Sequence, residues 1–183
     1  NMDAITMIKE RRSVRKYKDE KVDRETMREI VDIARWAPSW VNYQIARYTL
    51  VDDEEIIKEI AEHGVNGFVY NIDTLRTAKG VAVLSFVKGK SGTYDKEYIT
   101  SKGNSWEVFD AGIACQTFCL AAHAKGVGTC IMGVIDDKSI AKIVNLPEDE
   151  TVAALIVYGY EDGEHAAPNK RKDVDEIMRF VDR

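Results

Sequence analysis

"KERRSVRKYK", Lys9 to Lys18, sets six basic side chains in ten positions, with no acid after Glu10. The chain around it carries a formal net charge of -5. Two readings explain such a concentration. One is a helix end whose charges are simply solvated. The other is a place built to hold an anion. Arg11, Arg12, Ser13 and Arg15 suit the second, because arginine forks match phosphate oxygens in pairs and a serine hydroxyl adds a neutral donor. The stretch alone does not choose between them.

Reading outward, Asp3 can cap a first helix running to about Arg11, with Ile5 and Ile8 facing inward. Asn1 before Met2 reads as an added residue, with Met2 as the native start of one domain, 2–183. Downstream, Asp23 opens a second helix, with Val22 and Met27 placed as a hydrophobic staple. Met27, Ile30, Val31 and Ala34 recur at helical spacing until Pro38 stops the run. "YTLV" (48–51) reads as a strand and 54–63 as a helix closed by Gly64. Segment 66–79 is read as partly helical, and "VAVLSFV" (81–87) as a buried strand.

The polar stretch 88–105 contains three glycines and predicts a mobile loop. "WEVFDAGIACQTFCLAAHAKG" (106–126) is apolar around most of its circumference, so it must be buried in the core or against another subunit. Asp110, Gln116 and His123 interrupt it, which excludes a membrane span. A strand (129–135), a helix (137–145), a strand (152–160) and a terminal helix from about Asp173 complete the chain. This alternation suggests layered helices and sheet.

Several chemistries are disfavoured. The acidic balance argues against general nucleic-acid binding. Three cysteines make no disulfide framework. With no apolar signal segment after Met2, the protein is expected in the cytoplasm. There is no GxSxG elbow, no GxGxxG after the first strand and no P-loop. Cys115, Cys119 and His123 fall at i, i+4 and i+8, and Cys130 could join them around zinc. Three ligands from one straight helix fit a tetrahedron badly, so small cysteines packing a buried helix are the preferred reading and no metal is expected.

A second stretch decides between the two readings of the first. In "ARWAPSWVNYQ" (34–44), Ser39, Asn42 and Gln44 are interleaved with Trp40 and Tyr43. Short polar groups among aromatics suit a flat heteroaromatic ligand. Taken together, "RRSVRKY" and "APSWVNYQ" at this spacing resemble the FMN-dependent nitroreductase family. The resemblance continues through "DAGIACQTFCLAAHAKGVGTCIMG" (110–133), "IVYGY" (156–160) and "NKRK" (169–172), and is weakest over 52–105.

The resemblance implies an α+β nitroreductase-type fold, a mixed, mainly antiparallel sheet flanked by helices, assembled as a homodimer. It implies FMN as cofactor, NADH or NADPH as electron donor, and an electron-poor small molecule such as a nitroaromatic or quinone as acceptor; the alternatives are another flavin reaction on the same fold, reductive dehalogenation or dehydrogenation of a small substrate, or a non-enzymatic FMN- or metal-binding protein. Arg11, Arg12 and Ser13 would hold the FMN phosphate and ribityl chain, and Arg15 would lie nearer the pyrimidine edge. Pro38, Ser39, Trp40 and Asn42 would contact the flavin of the partner subunit. Met132 and Gly133 would line the flavin face, and Lys170 and Arg171 would close over the phosphate. Asn71 is a further candidate for the polar edge of the ring. No side chain is expected to be catalytic, because the flavin carries the chemistry. Trp40, Tyr43, Phe68, Tyr70, Tyr94, Tyr98 and Trp106 are candidates for the acceptor pocket. Gln44-Ile45-Ala46 departs from the family's usual Gln-Pro-Trp, and Met132 stands where an acid is common.

Overall fold

A computed structural model describes residues 2–183, so Asn1 lies outside the described residues. The elements in chain order are α1 (Ala4–Glu10), α2 (Arg24–Ala34), β1 (Ala46–Val51), α3 (Glu54–His63), α4 (Val69–Thr77) and β2 (Gly80–Val87). A two-stranded ribbon, β3 (Thr93–Tyr94) and β4 (Glu97–Tyr98), precedes the 20-residue α5 (Ser105–Ala124). Then come β5 (Gly128–Met132), α6 (Asp137–Ile143), β6 (Glu150–Gly159) and α7 (Val174–Ile177).

The main sheet has the order β1-β2-β6-β5, and neighbouring strands are antiparallel throughout. One parallel bridge, Ser13 to Thr129, makes it mixed. Both faces are covered, which is why β2 is apolar at nearly every position. Alternate residues take opposite faces. Ala82, Leu84 and Phe86 pack with α2 and α5 through Met27, Ile30, Phe118 and Ala122. Val81 and Val83 pack on the other side with Ile57, Ile60, Leu75 and Ile140 from α3, α4 and α6.

Helix starts follow their caps. Asp3, Asp23, Asp53 and Asp136 each accept a backbone N–H of the first turn. Val22 and Met27 are both buried, as a staple requires. Gly126, at φ 77°, takes the left-handed turn that ends α5.

Two expectations are corrected. Ile5 and Ile8 are 67% and 57% exposed, because within one chain nothing covers that side of α1. The terminal helix begins after Asp173 as expected and is a single turn, with Phe180 and Val181 exposed beyond it. The stretch 88–105 is tied down rather than loose. The buried Glu107 accepts the Gly89 N–H (2.8 Å) and the Tyr98 hydroxyl (3.3 Å). The buried Asp110 accepts the Ser91 hydroxyl at 2.6 Å. Two carboxylates on an otherwise apolar helix are thus satisfied by the excursion they anchor.

Candidate functional site

The basic segment is positioned by the end of the sheet. Val14 N–H donates to the Thr129 carbonyl (2.8 Å), and Lys18 N–H to that of Tyr160 (2.8 Å). The Tyr17 N–H donates to Thr77 Oγ1 (3.1 Å), and its hydroxyl donates to the carbonyls of Val14 and Val157. Two glycines permit this close approach. A Cβ on Gly159 would come within 2.9 Å of the Tyr17 ring, and one on Gly128 would collide with Val14. Val14 and Tyr17 are consequently buried, while Ser13, Arg15 and Lys16 stay exposed and Arg11 and Arg12 are half-buried.

Arg11 and Arg12 line a cavity of about 280 Å³ with Glu10, Val14, His123, Gly128, Thr129, Glu161 and His165. The Nε atoms of both arginines are buried there without a hydrogen-bond partner. Leaving charged donors buried and unsatisfied is costly, so an anion is the group this cavity suits. Arg12 also has a structural task. Its Nη1 donates to the carbonyls of Lys9 (2.7 Å) and Arg11 (2.9 Å), closing the end of α1. Arg11 makes no such bond and is the freer of the two forks.

Farther along the segment, Arg15 and Lys16 line a second cavity of about 740 Å³ with Phe68, Tyr70, Asn71, Cys130 and Ile131. Its volume is that of a cofactor site. Asn71 donates to the Val134 carbonyl at 3.1 Å, which presents its amide at the rim. The two cavities are linked by neighbouring residues of β5, Thr129 in one and Cys130 in the other.

The second predicted stretch forms a separate wall. Pro38 and Ser39 line a cavity of about 200 Å³ with Gln44, Arg47, Tyr48 and Ala114. Ser39 Oγ accepts the Gln44 N–H (2.9 Å). The turn is strained: Val41, Asn42 and Gln44 have φ of 49°, 53° and 53°. Trp40 is an anchor. Its backbone N–H donates to Asp110 (3.0 Å), its indole N–H to the Thr93 carbonyl (2.8 Å), and its ring lies 5.0 Å from that of Trp106.

Within one chain, then, the predicted residues fall into separate groups. Arg11 and Arg12 share one cavity, Arg15 sits in the next, and Pro38 and Ser39 line a third. Lys170 and Arg171 lie on the exposed tail, where Arg171 Nη1 donates to the Asn169 carbonyl (2.7 Å). Met132 is buried in the core and Gly133 is exposed. Any contribution of Met132 to a ligand surface is therefore through its backbone. The half-exposed Ile131 is the side chain that lines the cavity, since alternation along β5 turns Met132 inward. Sequence reading missed Ile131, Thr129 and His165 as lining residues. Gly128 was the available signal, because a strand glycine marks close backbone approach.

Among the described residues no three His, Cys, Asp or Glu side chains are grouped to hold a metal ion. Cys115, Cys119 and Cys130 are free, buried thiols. The Cys115 thiol is raised by its neighbour Cys119 and by burial, and burial raises Cys130. Cys119 is lowered by its neighbour Cys115, with Thr129 and Arg11 adding to the effect.

Sheet, flanking helices and a basic segment seated beside two cavities define an α+β protein with a cavity suited to an anionic ligand. The chain belongs to the nitroreductase family of FMN-dependent NAD(P)H oxidoreductases: the Nitroreductase family profile matches residues 8–160. Among similar proteins are an FMN reductase [NAD(P)H] of Bacillus subtilis strain 168, 30% identical over 86% of this chain and 66% of the relative, and an iodotyrosine deiodinase of Thermotoga neapolitana, 25% identical over 85% and 87%. A solved FMN-dependent nitroreductase from Clostridium difficile R20291 superposes with a TM-score of 0.77 at 29% identity, covering 96% and 98% of the two chains.

Proposed function

We propose that this chain binds FMN and uses it to pass electrons from NADH or NADPH to an electron-poor small molecule such as a nitroaromatic or a quinone. The observation that carries this reading is the pair of buried, unpartnered arginine Nε atoms beside a second cavity large enough for a flavin ring. FMN, when bound, supplies the hydride and electron chemistry. The residues supply binding, orientation and exclusion of water. Arg11, Arg12 and Ser13 hold the phosphate end. Arg15 and Asn71 face the polar edge of the ring, and Ile131 gives it an apolar surface. The likeness to the FMN-dependent C. difficile protein supports this reading.

The site is completed by a second copy. Pro38, Ser39, Trp40 and Asn42 belong to the flavin of the partner, and Lys170 and Arg171 reach the phosphate from the tail. Along α5, Val108, Phe109, Gly112 and Gln116 form an exposed stripe. Gly112 sits mid-helix, and a Cβ added there would meet nothing within 4 Å, although glycine costs a helix about 1 kcal/mol. An opposing helix that must come close explains its presence. Ile5 and Ile8 would be covered in the same assembly. No helix among the described residues is long and apolar enough to cross a membrane; we place the protein in the cytoplasm, with a second copy and small molecules as partners.

A second reading is reductive dehalogenation at the same flavin, favoured by the likeness to the deiodinase. The visible spectrum of the purified protein tests the shared premise: a flavin absorption band is expected. Steady-state kinetics should be ping-pong with NAD(P)H and a quinone, and intersecting lines would oppose the shuttle. Turnover of a halophenol but of neither nitroaromatic nor quinone would select the second reading.

A further inference from the structure

The phosphate cavity contains a side chain that the flavin reading leaves unused. His123, in the last turn of α5, lines it together with Arg11 and Arg12. Its Nε2 is buried and, among the described residues, has no hydrogen-bond partner, and the same holds for the Nε atoms of the two arginines. Three nitrogens without partners thus belong to side chains of one cavity. Two are permanently charged, and the third can gain a proton.

We propose that His123 is a third ligand of the anion held by Arg11 and Arg12 and binds it in the protonated form, so that FMN is taken up together with a proton. The proposal rests on the FMN reading above. The charged groups around His123 come from three places. Glu10 ends α1, Arg11 and Arg12 follow it, and Glu161 and His165 follow β6, with His165 Nδ1 2.9 Å from Glu161 Oε1. Burial holds the His123 pKa below its ordinary value; Glu10 opposes this, while Arg11, Arg12 and His165 add to it. The imidazole of the flavin-free protein is therefore neutral at neutral pH. A phosphate dianion offsets the arginine charge and adds an acceptor, and both changes favour the imidazolium. Proton uptake then accompanies binding, so FMN affinity rises as the pH falls toward the range where the imidazole protonates. Below about pH 6 the phosphate itself becomes a monoanion, which confines the effect to the range above.

The test measures FMN and riboflavin affinity by fluorescence in flavin-stripped protein, for the parent, H123Q and H165Q. From about pH 8 to pH 6.5, FMN affinity of the parent should rise roughly fivefold to tenfold. Riboflavin should show no such rise, H123Q should flatten it, and H165Q should retain it. An FMN slope that persists in H123Q, or that riboflavin shares, overturns the proposal. A parent that binds no FMN at any pH sinks the functional reading itself. Should H123Q fail to fold, NMR titration of the parent imidazole decides: FMN must raise the His123 pKa and riboflavin must not. An unchanged pKa with FMN bound overturns the role of His123.

Discussion

A Cβ on Gly128 would lie 2.7 Å from Cγ2 of Val14 and 2.9 Å from its Cβ. Neither is the free end of a flexible side chain, so the contact cannot be relieved by a rotamer change alone. The closeness of β5 to the basic segment depends on this glycine. Gly128→Ala should cost about 1–3 kcal/mol by overpacking and weaken FMN binding, because the segment that carries Arg11 and Ser13 must move. Thermal melts and flavin titration check both; an unchanged melt with unchanged affinity would show that the segment shifts freely.

Arg11→Ala should weaken FMN by about 1.5–3 kcal/mol, the scale of a hydrogen bond to a charged group. Riboflavin, which lacks the phosphate, should be nearly indifferent. Arg12→Ala should in addition lower stability, since its Nη1 holds two carbonyls at the end of α1. Equal weakening of FMN and riboflavin by Arg11→Ala would remove the phosphate from its role.

Val41 is a β-branched residue at φ 49° and is 62% exposed. Glycine accepts that backbone without strain, and little apolar burial would be lost. Val41→Gly should raise stability by about 0.5–1 kcal/mol, net of the extra freedom glycine gives the unfolded chain. Urea unfolding measures it, and a loss of stability would mean that the turn is not strained at this residue.

Arg24 holds Asp52 with two bonds of 2.9 Å. The pair lowers the Asp52 pKa from its ordinary 3.8, the Arg24 hydrogen bond being the main cause. A lowered carboxylate pKa stabilises the fold above the ordinary value and ceases to do so as the pH falls through the folded value. Arg24 is largely exposed, so solvent screens the pair and its contribution is small. Asp52→Asn should be slightly less stable than the parent at neutral pH, and the difference should vanish on acidification well below 3.8. A difference that grows in acid would contradict the assignment.

Gly112→Glu places a charge on the exposed stripe of α5 while improving local helix propensity. The isolated fold should be unharmed. A dimer formed on this face should dissociate and release FMN, although Gly112 touches no proposed flavin contact. Ultracentrifugation with flavin absorbance reads both, and a monomer that keeps FMN at parent affinity would refute the shared site. Ala114, which the apolar pattern equally suggests for this purpose, is 5% exposed inside its own chain and would test packing instead.

Much of this was legible in the sequence for identifiable reasons. The apolar run of β2 signalled cover on both faces, and the capping aspartates marked the helix starts. What the sequence left open is which neighbour covers a given face. Ile5 and Ile8 have the helical spacing of core residues but face away from their own chain. The polar composition of 88–105 concealed its attachment, because the anchoring carboxylates, Glu107 and Asp110, lie on the helix that follows. Met132 and Ile131 differ only in the phase of a strand, which pairing with β6 sets. For the site, the basic segment was readable, but its division among cavities depends on β5 and α4, which lie more than fifty residues away in the chain.

The seating of residues 13–17 has a consequence beyond the ligand. β5 ends the order of the main sheet, and its outer side would otherwise present backbone groups to any passing strand. The Val14 bond to Thr129 and the Ser13 bridge occupy part of that row. One short piece of chain therefore covers part of a sheet edge and, on the proposed FMN reading, also retains the cofactor. Changes that unseat it should promote edge-to-edge aggregation as well as weaken flavin binding, and saturating FMN should suppress both by holding the cover in place.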